Sequence, residues 1–281
     1  MRPTVLPMPL LRLALLLASI GLAMSATRHH AGAQPAAADP PALPGGLERA
    51  FSARVVEIVD GDTVRLDEGS EVRLIGLQAP KLALGRPGFV DWPLSAEAHA
   101  LLGQLVDGRE VTVAFGGLDT DRYGRRLGHL ERADGLWVQG AMLAAGMARV
   151  YTFPDNRAAI AEMLALERAA RAAGLGIWSD PFYAILDQAE VERRHTDTYQ
   201  IVRGTVLAVE RAGGRVYLNF GRDFRSDFTL SVDHDDLPLF EAAGLDLFAL
   251  EGVEIQARGW IDWRNGPMID LTHPELVERL D

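Results

Sequence analysis

Cysteine does not occur in the 281 residues, which excludes disulfides, a thiol nucleophile, thiolate-held zinc and lipid attachment through sulfur. Stability must come from apolar cores alone. Lysine is nearly absent too: among 28 basic residues, Lys81 is the single lysine. Basic charge falls short of acidic charge, 28 Lys and Arg against 39 Asp and Glu, for a net −11. That imbalance excludes broad charge-driven binding to polyanions, whose affinity comes from cations displacing phosphate counterions. Any contact with nucleic acid must rest on a local basic patch. The seven histidines are scattered, and H-E-x-x-H, G-x-S-x-G and phosphate-loop patterns are missing. Zinc, serine catalysis and nucleotide cofactors are therefore unsupported.

The chain also lacks an apolar run of the roughly 20 residues that a membrane-spanning helix needs. Its longest candidate, residues 13–26, is 14 residues long, follows Arg2 and is trailed by small residues. This is the pattern of a secretory signal peptide, residues 1–33, cleaved after Ala-Gly-Ala at 31–33 or at Ala26. The expected location is the periplasm or the medium, with no membrane anchor after processing. Removal of Arg2, Arg12 and Arg28 leaves 25 bases against 39 acids, or −14.

Residues 34–50, rich in Ala, Pro and Gly, read as an extended linker. Short runs rich in Val, Ile and Leu at 54–59, 63–66 and 71–77, separated by Asp-Gly and Asp-Glu-Gly turns, predict three antiparallel strands. Ser95 is placed to cap a helix through Leu105, with Glu97 in its first turn. Strands at 110–115 and 127–131 follow, then helices at 138–145 and 155–173, each ending at a glycine. The order is α+β, consistent with a five-stranded barrel carrying three helices over residues 51–180. A connector at 181–198 leads to strands at 200–209, 215–220, 227–232, 253–260 and 267–271, with a helix near 237–243 and an Asn265-Gly266 hairpin turn. This second region, 199–281, is expected to be a small β-rich, OB-like barrel closed by a helix at 274–280. Residues 181–281 hold 19 acids against 10 bases, so the aromatics Tyr217, Phe220, Phe224 and Phe228 are better read as core than as a stacking face for single strands.

Three segments concentrate the chemistry: 59–66 (VDGDTVRL), 72–81 (VRLIGLQAPK) and 119–126 (DTDRYGRR). Asp60 and Asp62 flank a glycine at a strand end, where Asp62 offers hard oxygen to a cation or forms the polar edge of a hairpin. Arg73 shares a strand face with Ile75 and Leu77, so it needs a partner: a phosphate, gripped by its planar fork, or an ion pair with Asp62 or Glu71. Arg122, Arg125 and Arg126 surround Tyr123 and Gly124 in a compact basic turn whose ring suits a nucleotide base. Lys81 is open to three readings: an exposed or salt-bridged residue, a phosphate clamp, or a base whose pKa burial has lowered. The Gly- and Pro-rich loop 86–93 and the following helix offer Asp91 and Glu97 as replacement acids. Residues 233–236 (DHDD) are a solvated acidic loop before they are a metal site.

Together the three segments, in this order, resemble the active site of the staphylococcal-nuclease (thermonuclease) family, and the likeness runs along residues 51–179 to the closing Gly176-Ile177-Trp178. The resemblance implies a metal-dependent phosphodiesterase acting on single-stranded DNA or RNA with Ca2+. It makes Arg73 and Arg125 the catalytic, phosphate-contacting arginines, Tyr123 and Arg122 part of the substrate site, and Asp62 a metal ligand beside Asp60. It also locates two departures: Gln78 stands where the family has its second metal carboxylate, and Lys81 where it has the general-base glutamate. A neutral amide weakens a calcium site, so the sequence carries two readings: an exported nuclease, or a nucleic-acid or protein binding module of the same fold whose catalysis has lapsed.

Overall fold

The computed structural model describes residues 40–223 and 225–280; the expected signal peptide lies outside them. The chain enters β1 (Glu48–Asp60) and turns at Gly61 into β2 (Thr63–Leu66), followed by β3 (Glu71–Leu74). Gly61 is required by close approach, since a Cβ there would lie 2.8 Å from the Ala79 Cβ. The expected strand 71–77 is broken. Ile75 separates β3 from β4 (Gly76–Gln78), because Gly76 turns at φ +87° with Met163 packed against it. This break carries Gln78 out of the barrel. Next come α1 (Ser95–Val106), β5 (Glu110–Phe115), β6 (Arg126–Arg132), α2 (Val138–Ala144), β7 (Arg149–Tyr151) and α3 (Ile160–Ala172).

Strands β1, β2, β3, β6 and β5 close into a barrel, with β3 and β6 parallel, while β4 pairs with β7 outside it. Alternation turns Val55, Val64, Leu66, Val72, Leu74, Val111, Val113 and Leu130 inward, each no more than 1% exposed. Burial of each such side chain contributes on the order of 1.5–3 kcal/mol. The three helices add Leu102, Met142, Leu143, Ile160 and Met163 to the same core. Several boundaries differ from expectation. Ser95 is the first residue of α1 and makes no side-chain cap; Leu94 precedes it in a left-handed conformation. The third helix begins at Ile160 rather than 155. Within the expected linker, Pro41 packs on the barrel, its carbonyl accepting the Trp137 N–H at 2.7 Å.

The second region runs β8 (Leu186–Asp187), β9 (Tyr199–Thr205), β10 (Ala208–Ala212), β11 (Arg215–Asn219), β12 (Thr229–Asp233), α4 (Leu237–Ala242), β13 (Glu254–Trp263), β14 (Pro267–Asp270) and β15 (Val277–Arg279). Its strand order is β10-β11-β12-β14-β13-β9, and β10 follows β9 after two residues. At this kink Val206 N–H bonds to Val253 O and Leu207 N–H to Asn219 O, so β9 and β10 are halves of one first strand and the ring closes through the chain. Counting β9 and β10 as one, the third strand pairs parallel with the fifth, here β12 with β14 as in the first barrel β3 with β6. A helix follows the third strand in both. The two β-rich regions therefore share one OB-type topology. Residues 274–280 form a short turn and β15 instead of the expected helix. Phe220 and Phe228 pack in the core; Phe224 lies outside the described residues.

Each barrel has its own apolar core, and residues 39–281 form one compact unit. The junction is polar and buried. The Arg258 guanidinium on β13 donates to both oxygens of Glu167 on α3, at 3.0 and 2.9 Å, and to Glu278 at 2.6 Å. Thr152 bonds to His273 and Arg157 pairs with Glu275 across the same boundary. Among the described residues no helix is long and apolar enough to cross a membrane.

Candidate functional site

The β1–β2 turn, the segment beyond β4 and the loop before β6 converge on one cleft of about 750 Å³. Asp60, Arg73, Gln78, Lys81, Arg122, Tyr123 and Arg125 all line it. The three sequence segments thus meet at one cleft. Tyr123 is 69% exposed, with the Arg122 and Arg125 guanidinium carbons 4.9 and 5.7 Å from its ring centre. Sequence reasoning missed Tyr151, Phe153 and Arg86, which also line the cleft; the first two belong to a segment whose local pattern looks structural, and Arg86 to a loop in which only the acid Asp91 drew notice.

Asp62 lies beneath the cleft floor, fully buried. Its Oδ1 is paired with the Arg73 guanidinium, and its Oδ2 accepts the Lys81 ammonium at 2.5 Å and the Ala79 N–H at 3.0 Å. Lys81 also reaches Asp60 Oδ2 at 3.4 Å, while the other Asp60 oxygen accepts the Gly61 and Leu82 N–H groups. Arg73 donates its second terminal nitrogen to Leu77 O at 3.1 Å. Of the readings the sequence left open for Lys81, the observed contact is the salt bridge. Burial, followed by the Arg125 charge, lowers the Arg73 pKa to about 10, so it stays a cation at neutral pH. Burial first and Arg73 second push Lys81 well below the ordinary lysine value, and Asp60 pushes back; the Asp62 carboxylate at 2.5 Å favours the ammonium form, the one that completes the charge balance of the cleft floor.

Arg125 is paired with Asp121 at 2.7 Å. Burial works to raise Asp121, but N–H donors from Arg125 and Tyr123 outweigh it and hold its carboxyl below the usual range. The Gln78 oxygen is already taken: its Oε1 accepts Arg149 Nε at 3.0 Å and Nη2 at 2.7 Å. Arg149 is itself buried, with Tyr199 of the second barrel at 4.8 Å and Trp92 at 5.9 Å from its guanidinium carbon.

The replacement acids are placed elsewhere. Asp91 is exposed and accepts the Ala83 N–H at 2.6 Å, pinning the loop, and Glu97 sits in the first turn of α1; neither lines the cleft. His129 is a core residue whose Nδ1 accepts the Trp137 indole N–H. His234 lies 3.1 Å from both Asp233 and Asp235 on the surface.

A calcium ion does not fit this donor set. Hard cations need several anionic or carbonyl oxygens free to converge. Here both Asp62 oxygens are bound to cations, Asp60 shares Lys81, and the Gln78 oxygen is held by Arg149. Asp60 and Asp62 are balanced by Arg73 and Lys81, so a divalent ion would add two uncompensated charges.

Comparison with known proteins gives relatives over part of the chain. The family described as staphylococcal nuclease homologue matches residues 71–180. Protein ParB of Escherichia coli is 39% identical over 138 residues, covering 45% of this chain and 72% of the relative. An uncharacterized endonuclease of Escherichia coli O157:H7 is 32% identical over 130 residues, 45% of this chain and 76% of its own length. Micrococcal nuclease of Shigella flexneri is 31% identical over 142 residues, 47% and 75% of the two chains. A closed five-stranded barrel, a cleft built from its three signature segments and these relatives together place the chain in the staphylococcal nuclease homologue family.

Proposed function

We propose that this protein is an exported, single-stranded nucleic-acid binding member of its family in which metal-dependent hydrolysis has lapsed. The observation that carries the reading is Lys81, whose ammonium bridges Asp60 and Asp62. Phosphodiester hydrolysis needs a base for water and a cation at the developing negative charge; at the base position stands an amine, and the metal carboxylates are already neutralised. What remains is a cleft lined by Arg73, Arg122, Arg125 and Tyr123, which suits phosphate oxygens and a base. The endonuclease and nuclease names of the relatives support nucleic acid as ligand class. Export rests on residues 1–33 and is tested by fractionating cells that express the full chain.

The ion pairs Arg73–Asp62 and Arg125–Asp121 favour a second reading, a protein-interaction barrel pair whose arginines serve internal contacts only. Salt separates the two. If three arginines contact phosphate on a single strand, log affinity falls with log salt at a slope of roughly −2, and Arg73→Ala and Arg125→Ala each weaken binding with chelator present. Affinity indifferent to salt and to both substitutions would sink nucleic-acid binding. Acid-soluble nucleotides released from single-stranded DNA or RNA with calcium or magnesium, and lost in Arg73→Ala, would overturn the lapse of hydrolysis.

A further inference from the structure

An aromatic row leads out of the cleft onto the second barrel. Phe153 and Tyr151 line the cleft and meet edge to face, 5.0 Å between ring centres. Tyr151 meets Tyr199 at 4.7 Å, and Tyr199 meets Trp260 on β13 at 6.2 Å. The Trp260 indole N–H donates to the Tyr151 hydroxyl at 3.1 Å. This hydrogen bond orients the indole, yet Trp260 stays 50% exposed, as does Phe153 at the other end of the row at 40%. A large ring is more often buried, and a tryptophan whose polar edge is already satisfied leaves only its π-face for a ligand. Tyr199 lies under the row and is fully inside, with Arg149 against its ring.

We propose that Trp260 is a base-stacking platform that extends the cleft by one or two nucleotides onto the second barrel, a deduction that rests on the nucleic-acid reading of the cleft. The chemistry is sequence-tolerant stacking of a base on an indole, beside a groove that holds the phosphates. The occupant is the continuation of the strand whose phosphates lie at Arg73 and Arg125, because Tyr151 is at once a cleft wall and the hydrogen-bond partner of Trp260.

The test measures affinity by isothermal calorimetry for two probes, a 5′-phosphorylated thymidine dinucleotide and an oligothymidylate of eight nucleotides. Proteins are the full mature chain and its Trp260→Ala, Trp260→Phe and Arg73→Ala variants, each with its thermal midpoint recorded. The expected result is that Trp260→Ala weakens the long probe roughly 5- to 100-fold and leaves the dinucleotide unchanged. Trp260→Phe, which keeps a ring but loses the donor to Tyr151, retains most of the long-probe affinity. Equal affinity of Trp260→Ala and wild type for the long probe overturns the platform while leaving the cleft reading intact. A parallel loss for both probes, or equal loss in Trp260→Phe, also overturns it, by assigning the effect to a displaced Tyr151. Failure of the wild type to bind either probe removes the cleft reading and the platform with it.

Discussion

Lys81→Glu turns the charge balance of the cleft floor into a measurable response to calcium. In the wild type, the carboxylates of Asp60 and Asp62 are matched by the cations of Arg73 and Lys81. The substitution changes that net zero to −2 around a fully buried Asp62. Removing one partner of a buried pair costs about 3–5 kcal/mol, and in a chain of this size each kcal/mol moves the thermal midpoint by about 2–4 °C. The variant with chelator should therefore melt roughly 6–20 °C below wild type. Calcium restores neutrality with three carboxylates converging, and at a hundred times its dissociation constant it returns about 2.7 kcal/mol. Scanning calorimetry of both proteins, with chelator and with calcium titrated into the millimolar range, reads the effect directly. Lys81→Gln serves as control: it is destabilised but supplies no third carboxylate, so calcium should recover it far less. A chelator-sensitive rise in the wild-type midpoint, or a Lys81→Glu midpoint blind to calcium, would refute the claim that Lys81 takes the ion's place.

Burial holds His129 and His273 near pKa 4 in the folded protein, below the ordinary value near 6.5. Their contribution to stability is full above about pH 6.5 and is lost as pH falls from there toward 4, because the unfolded chain takes up the protons. At pH 5 each loss is about 2 kcal/mol, and urea unfolding of His129→Gln should show a correspondingly flatter decline between pH 7 and 5. Arg258→Met, which leaves the buried carboxylate of Glu167 with only the Val150 N–H and Arg171 at 3.7 Å, should cost up to about 3–5 kcal/mol, with part of that recovered when Glu167→Leu is added; a double variant no better than the single one contradicts the pairing. Gly76→Ala meets both a left-handed backbone at φ +87° and Met163 at 2.6 Å, so a loss of roughly 1–3 kcal/mol is expected in the same assay, and an unchanged midpoint would mean that β4 relaxes freely.

The barrel was legible because its physics is local: short Val-rich alternations, Asp-Gly turns and helices stopped by glycine each state their own geometry. The second barrel was legible in the same way, and its likeness to the first is one of strand order, invisible without pairing. The break at Ile75 was not legible, since 71–77 alternates like one strand and only the packing of Met163 on Gly76 shows why it turns. The site was half legible. Arg73, Arg125, Tyr123 and Asp62 carry recognisable spacing, but the partner of Gln78 is Arg149, 71 positions away, and no local pattern marks an arginine as reserved for an amide. Trp260 was equally hidden, because an exposed tryptophan on a strand acquires meaning only through its neighbour Tyr151.

The state of Gln78 and the attachment of the second barrel share one cause. Arg149 is buried, and burial lowers its pKa, so it needs acceptors and polarisable faces in place of water. It finds an acceptor in Gln78 Oε1 and a face in Tyr199, which β9 brings from the second barrel. On the neighbouring strand β13, Arg258 reaches back to Glu167 and to the carbonyl of Val150, the residue after Arg149. Seating the second barrel thus fixes Arg149, and a fixed Arg149 occupies the oxygen that a metal would require. An aspartate at position 78 would meet the same guanidinium and be neutralised by it, so restoring the family's carboxylate there leaves calcium without that ligand while Arg149 stays in place. Gln78→Asp alone should give no calcium response, and Gln78→Asp in the Lys81→Glu background should add little to the response of Lys81→Glu. A large additional gain in calcium affinity would mean that Arg149 releases its partner readily and that the second barrel does not hold the site closed.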